Sequence, residues 1–316
     1  MLGVFLDRDT VDRGDLDLAA LLGVLPDWRL HTYTSPDQLA ERLAEATVVV
    51  SNKVRLDAAA FAVAPQLRLV CVAATGTNNV DLDAAQRHGV TVCNVRGYAT
   101  PAVVQHVYAL MLALTTRLPE YQRDVAAGRW QASPYFCLLD HPIRELAGRT
   151  LGIVGYGELG SAVAQVAAVF GLSVLIAQRA SGAAQAGRVA LAELLPQVDV
   201  LSLHCPLTPL TRGLIGAREL ALMKPDALLI NTARGGLVDE VALAAALRAG
   251  RLGGAGIDVL AEEPPRAANP LLATDIPNLI VTPHIAWASR EARQRVIDAI
   301  AANIRAFLAG TPRNVV

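Results

Sequence analysis

Short apolar runs alternate along the chain with longer runs in which Ala, Leu and charged residues share a helical period. The apolar runs predict strands at 2–6, 48–51, 67–73 and 90–94, and a second set at 151–154, 173–177, 200–204, 227–231, 254–258 and 279–282. The longer runs predict helices at 36–45, 82–88, 100–127, 159–170, 239–249 and 289–308. Pro101, a residue tolerated in a first helical turn, opens the long one. Strands that alternate with helices in this way build parallel sheets covered on both faces. The expected fold class is therefore α/β, in two doubly wound parallel-sheet units. The first strand set ends near Asn94 and the second starts at Thr150. The last helix has no strand after it, which leaves it available to the first unit. The stretch 128–146, with Pro134 and Pro142, is the longest irregular segment and reads as an arm or interface loop.

Composition adds exclusions. With 316 residues, 53% hydrophobic and 18% charged, the chain can bury a sizeable core. A net charge of −1 without basic clusters gives no reason to expect nucleic acid or an anionic membrane as a partner. Cys71, Cys93, Cys137 and Cys205 are widely spaced, which reads as scattered thiols of a cytoplasmic protein, with no disulfide frame and no metal site. Asp7 and Asp9 break up any signal-peptide pattern at the start. The apolar stretch 150–177 is long enough to suggest a membrane span, but its glycines and Glu158 suit a buried strand–helix unit better.

The chemistry begins in that stretch. Gly155, Gly157 and Gly160 stand in G-x-G-x-x-G spacing between an expected strand and an expected helix, the context that a dinucleotide-binding loop needs. The first glycine permits the turn, the second lets a pyrophosphate approach the backbone, and the third lets helix and strand pack. In open parallel sheets ligands bind beyond the carboxyl ends of the strands. On that edge lie Cys205 and Pro206 after one strand, Arg234 after the next, Asp258 and Glu263 after a third, and His284 after the last. Arginine can hold a carboxylate in two places and polarise a carbonyl. Histidine can exchange a proton near neutral pH, and a glutamate on its other ring nitrogen would fix the tautomer and favour the protonated ring. Beside a nicotinamide, this set suits interconversion of a 2-keto and a 2-hydroxy acid.

An NAD-selective loop usually has an acid at the end of the second strand, for the ribose 2′-hydroxyl. Here the strand is followed by Gln178-Arg179-Ala180-Ser181. Gln178 would not repel a 2′-phosphate and Arg179 could pair with it, so the cofactor is expected to be NAD or NADP, with NADP(H) favoured. Arg179 stacking on the adenine is the alternative that would leave NADH favoured.

Over essentially its whole length the chain resembles the D-2-hydroxyacid dehydrogenase family. The resemblance rests on Val154-Gly155-Tyr156-Gly157-Glu158-Leu159-Gly160, His204-Cys205-Pro206-Leu207-Thr208, Asn231-Thr232-Ala233-Arg234-Gly235-Gly236, Asp258-Val259 with Glu263-Pro264, and Pro283-His284-Ile285-Ala286-Trp287. It implies Arg234 as the substrate-orienting arginine, His284 as acid/base and Glu263 as its partner. It implies cofactor contacts from Thr100, Gly155, Gly157, Glu158, Leu159, Gly160, Gln178, Arg179, Cys205, Pro206, Thr211, Thr232, Ala233, Asp258 and His284. Substrate contacts are implied for Lys53 and Arg234 and for the amides of Gly76 and Thr77. It further implies a Rossmann dinucleotide-binding domain at 100–287, inserted into a flavodoxin-like substrate domain at 1–99 and 288–316, with the active site in the cleft between them, and a homodimer joined through the long helix. The segments His284-Ile285-Ala286-Trp287-Ala288-Ser289 and Ala74-Thr75-Gly76-Thr77-Asn78-Asn79-Val80-Asp81 look most like glycerate dehydrogenases, also called hydroxypyruvate reductases. Hydroxypyruvate and glyoxylate are then the expected substrates. Phosphoglycerate dehydrogenases share the motifs, often with a further C-terminal domain. Formate dehydrogenases place Gln where Glu263 stands. Dinucleotide-sensing corepressors form a non-enzymatic alternative with similar residues.

Overall fold

The computed structural model describes residues 1–179, 185–265 and 268–316. Ala180 and Ser181, which follow the Gln178–Arg179 pair, lie outside the described residues. The chain divides into two compact units, one comprising Met1–Ala99 with Trp287–Val316 and the other Thr100–Ala286. Trp287, placed by sequence at the end of the second unit, belongs to the first, where its ring meets Tyr98 edge-on at 6.2 Å.

The first unit holds a five-stranded parallel sheet made of β1 (Leu2–Phe5), β2 (Asp27–Leu30), β3 (Val48–Ser51), β4 (Leu69–Val72) and β5 (Thr91–Cys93), in the order β2-β1-β3-β4-β5. That is the flavodoxin-like order. Every residue of β3 and β4 is buried, as apolar strands covered on both faces require. One apolar cluster packs under Phe61, Ala84 and Ala85; the other lies under the last helix, Arg290–Leu308. Val296, Ile297, Ile300, Ala301 and Ile304 form a stripe at helical spacing on that helix, and the Ser289 hydroxyl caps its start by accepting from the Ala292 N–H at 3.1 Å.

Strand β2 was not expected from the sequence pattern, and its form explains why. It is an edge strand with charged residues and no fully buried position, as edges that avoid further pairing tend to be. Its Trp28 lies opposite Gly3, where a Cβ would come within 2.6 Å of the indole.

The second unit holds six parallel strands: β6 (Thr150–Val154), β7 (Ser173–Ile176), β8 (Val200–Leu203), β9 (Leu228–Asn231), β10 (Gly254–Ile257) and β11 (Leu279–Val281), in the order β11-β10-β9-β8-β6-β7. The chain runs outward from β6 to β7 and then returns to β8, so β6 and β8 flank the point where the winding reverses. Ligands bind at such a point in doubly wound sheets. The stretch 150–177 is β6, its loop, a helix and β7, and among the described residues no helix is long and apolar enough to cross a membrane.

The helix expected at 100–127 is broken. Thr100–Thr115 ends, Arg117 turns into the left-handed region at φ 55°, and Leu118–Ala126 starts anew. Pro119 is the cause: it cannot donate an N–H to the preceding turn, and it is tolerated only in the first turn of the new helix.

Candidate active site

The glycine loop leaves β6 and enters the helix Glu158–Ala167, and its three glycines meet three different demands. Gly155 has φ 92°, and a Cβ there would lie 2.5 Å from the Cys205 amide nitrogen, so loop and β8 end touch backbone to backbone. At Gly160 a Cβ would lie 2.0 Å from the Gly155 carbonyl oxygen, which makes glycine the condition for helix and turn to pack. Gly157 caps the helix, and the space a side chain there would take is open. Thr100 joins the loop by donating its hydroxyl to Glu158.

A cavity of about 590 Å³ lies against this loop, walled by Gly155, Tyr156, Gly157, Gln178, Arg179, Arg188, Cys205, Pro206 and Thr211, among others. Arg188, which sequence reading missed, stands over the Tyr156 ring at 5.6 Å. Gln178 and Arg179 follow β7, where an NAD-selective loop would present an acid. Thr211 fixes one wall: its hydroxyl donates to the Pro206 carbonyl at 2.7 Å and accepts from the Thr208 N–H at 2.8 Å. Burial pushes the Cys205 thiol up, so this wall residue is a neutral thiol. The residues fit a dinucleotide. The helix N-terminus and the open side of Gly157 suit a pyrophosphate, and two buried polar atoms, Thr232 Oγ1 and His204 Nδ1, have no protein partner among the described residues.

Three adjacent strands deliver the remaining residues to the same edge. After β9, fully buried Asn231 folds the next loop back, accepting from the Ala233 N–H at 3.1 Å and donating to the Arg234 carbonyl at 2.9 Å. Arg234 itself is exposed, and its guanidinium donates to the Ala233 carbonyl at 2.7 Å. At Gly235 a Cβ would lie 1.9 Å from the Leu260 carbonyl carbon, so this loop is pressed against the one that follows β10.

That second loop carries Glu263. Its Oε1 accepts the Leu260 N–H at 2.9 Å and its Oε2 lies 2.6 Å from His284 Nδ1. A carboxylate partner makes Nδ1 the protonated nitrogen, which leaves Nε2 as the one able to exchange a proton. Glu262 is exposed beside it. His284 sits in the left-handed region at φ 55°, a conformation that costs about 1–3 kcal/mol at a non-glycine residue. Its N–H donates to the Asp258 carbonyl at 2.8 Å. The Asp258 side chain, expected to touch a cofactor, is buried and spends both oxygens on the turn, accepting from Ile285 N–H and Ala286 N–H at 2.9 Å each.

In the first unit, Lys53 follows β3, and its N–H donates to Asp7 at 2.6 Å. Asp7, two residues past the end of β1, is one that sequence reading passed over as a site residue. Its carboxylate gathers the amides of Asn52, Lys53 and Val54, and burial raises its pKa against those bonds. Gly76 and Thr77 lie half-buried in the loop after β4, which is held by the Thr75 hydroxyl on the Val95 carbonyl at 2.8 Å and by Asn94 on the Thr75 carbonyl at 2.7 Å. Among the described residues no cluster of His, Cys, Asp and Glu could hold a metal ion.

The chain is similar to known proteins. Residues 108–286, more than half of the chain, match the family described as D-isomer specific 2-hydroxyacid dehydrogenase, NAD binding domain. The chain is 46% identical over 314 residues to a glycerate dehydrogenase of Methylorubrum extorquens, covering 99% of this chain and 98% of that one. It is 37% identical over 319 residues to a hydroxypyruvate reductase of Blautia hydrogenotrophica, covering 99% and 98%. Among solved structures, an acyclic imino acid reductase in complex with NADPH and D-Arg superposes with a TM-score of 0.87 at 26% identity, covering all of both chains. The chain belongs to the D-isomer specific 2-hydroxyacid dehydrogenases, oxidoreductases that act on a CH–OH group with a nicotinamide dinucleotide.

Proposed function

We propose that the protein interconverts hydroxypyruvate and D-glycerate, accepts glyoxylate as a smaller substrate, and uses NADPH in preference to NADH. The 2.6 Å contact between Glu263 and His284 carries the reading. It fixes the imidazole tautomer, so that Nε2 is the nitrogen that exchanges a proton with a substrate oxygen. The nicotinamide, when bound, supplies or takes up the hydride at C2. Arg234 holds the substrate carboxylate and polarises the adjacent carbonyl. His284 Nε2–H gives its proton to the C2 oxygen as negative charge develops there, and in the reverse direction Nε2 removes it. Glu263 keeps the ring oriented and compensates its positive charge. Lys53 and the amides of Gly76 and Thr77 are proposed carboxylate contacts.

Similarity to a glycerate dehydrogenase and to a hydroxypyruvate reductase supports the substrate class. The NADPH preference is supported by Gln178, Arg179 and Arg188 around the cavity, where two guanidiniums and, among the described lining residues, no acid would meet a 2′-phosphate. Exposed Trp130, Tyr135, Phe136, Leu139 and Ile143 support the homodimer as part of this proposal. The four free cysteines support a cytoplasmic setting. The test is a panel of hydroxypyruvate, glyoxylate and pyruvate against NADPH and NADH. Turnover of hydroxypyruvate with the higher kcat/KM for NADPH is expected. Absence of turnover with every keto acid would overturn the enzymatic reading, and a preference for NADH above about tenfold would overturn the cofactor assignment.

A further inference from the structure

The Asp258 carboxylate is fully buried and takes three hydrogen bonds from the turn and from Thr282: Ile285 N–H, Ala286 N–H and the Thr282 hydroxyl, the last at 2.6 Å. A threonine has one hydroxyl proton, and here it goes to Asp258. The 3.0 Å contact between Thr282 Oγ1 and His106 Nε2 must then have the imidazole as donor. His106 thus carries its proton on Nε2, and that nitrogen also lies 3.6 Å from Asp258 itself. A directed chain runs from His106 N–H to the Thr282 hydroxyl to the Asp258 carboxylate, and it ends on the two amides that follow His284. His106 comes from the helix Thr100–Thr115, 178 residues before His284 in the chain, with a side chain that is only 18% exposed.

The turn needs such support. His284 is held at φ 55°, and the amides of residues 284, 285 and 286 all end on Asp258 atoms. Glu263 aims the ring and Asp258 fixes the backbone that carries it. Asp258 has two oxygens and three side-chain-directed donors, so its rotamer depends on the Thr282 hydroxyl pointing inward. Without a donor behind it, that hydroxyl is free to rotate.

We infer that His106 is a positioning residue: by donating to Thr282 it sets the Asp258 carboxylate that holds the turn presenting His284. This inference rests on the proposed role of His284. His106 acts on where the imidazole stands and not on how tightly keto acid or dinucleotide binds. Its loss should therefore appear in kcat and not in KM.

The test compares His106→Phe, His106→Gln and Thr282→Val in the full chain, by steady-state reduction of hydroxypyruvate, by NADPH titration through its fluorescence, and by hydrogen exchange of peptides spanning Ile285 and Ala286 in the free protein. His106→Phe and Thr282→Val should each lower kcat about tenfold, with KM and the NADPH Kd within about twofold, and should speed exchange at the turn. His106→Gln, whose amide can donate from the same place, should recover most of both losses. Wild-type kcat and wild-type exchange in His106→Phe would overturn the inference, as would a His106→Gln variant no better than His106→Phe. If His106→Phe does not fold, Thr282→Val, a change of nearly equal volume, decides alone. If the wild type turns over no keto acid, the proposed activity has failed, and exchange at the turn still decides the inference.

Discussion

Acid should weaken the second unit through a single imidazole. His204 directly follows β8, its Nε2 lies 2.8 Å from the buried Ser202 hydroxyl, and its Nδ1 is buried with no partner among the described residues. Burial holds the ring well below the usual histidine range, at about 4 against 6.5. Above about pH 6.5 the ring is neutral in folded and unfolded chains alike and makes no difference to stability. As pH falls below that value, the unfolded chain takes up a proton that the folded chain refuses, so stability is lost until the folded ring also titrates near pH 4. A gap of about two and a half pH units at 1.36 kcal/mol each amounts to about 3 kcal/mol over that window. Urea unfolding followed by far-ultraviolet circular dichroism, at intervals from about pH 7.5 to pH 4.5, would read the loss. His204→Gln keeps an amide for Ser202 and cannot ionise, so its stability should fall less over the same range, by about 3 kcal/mol. Parallel stability curves for wild type and variant would refute the reasoning.

Three further outcomes are expected. Glu263→Gln should lower kcat about 10- to 30-fold with cofactor Kd unchanged. That is the value of a charge-assisted hydrogen bond reduced because the His284 and Glu263 side chains are 30% and 34% exposed, and a kcat within twofold of wild type would remove Glu263 from the mechanism. Gly160→Ala should abolish NADPH binding by fluorescence titration and lower Tm, because its Cβ would meet a backbone oxygen at 2.0 Å; Gly157→Ala, with open space around it, should keep Tm and weaken binding alone. Arg179→Ala and Arg188→Ala should each raise Kd for NADPH about tenfold and leave NADH within twofold; equal effects on both dinucleotides would assign the arginines to the shared adenosine portion.

Much of this was legible in the sequence because it is local. Strands such as 69–72 and 151–154 are apolar through their whole length, and the glycine spacing follows directly from the loop's backbone demands. Glu263 and His284 were legible as residue types at strand ends. What escaped was whatever depends on partners far away in the chain. Strand β2 escaped because an edge strand carries no continuous apolar run. The break at Arg117 escaped because a long apolar stretch outweighed Pro119. Asp258 read as a cofactor contact from its motif, yet in the fold its side chain is committed to backbone amides. His106, one polar residue on an apolar helix, has no sequence signal for a partner like Thr282. Asp7 and Asn231 at least sit at strand ends, where a rule could have found them.

The packing of Gly235 on Leu260 also bears on how this enzyme can be redesigned. The loop that bears Arg234 and the loop that bears Glu263 share one backbone-to-backbone joint. Any side chain at position 235 would push the Glu263 loop aside, so under the proposed roles of Arg234 and Glu263, varying the neighbours of Arg234 to alter substrate choice would lower turnover. At Gly236 the nearest atoms to a Cβ belong to the Leu207 and Arg212 side chains, which can yield. Diversity aimed at new keto acids belongs at 236 and beyond, and a library that opens 235 should return almost nothing but glycine.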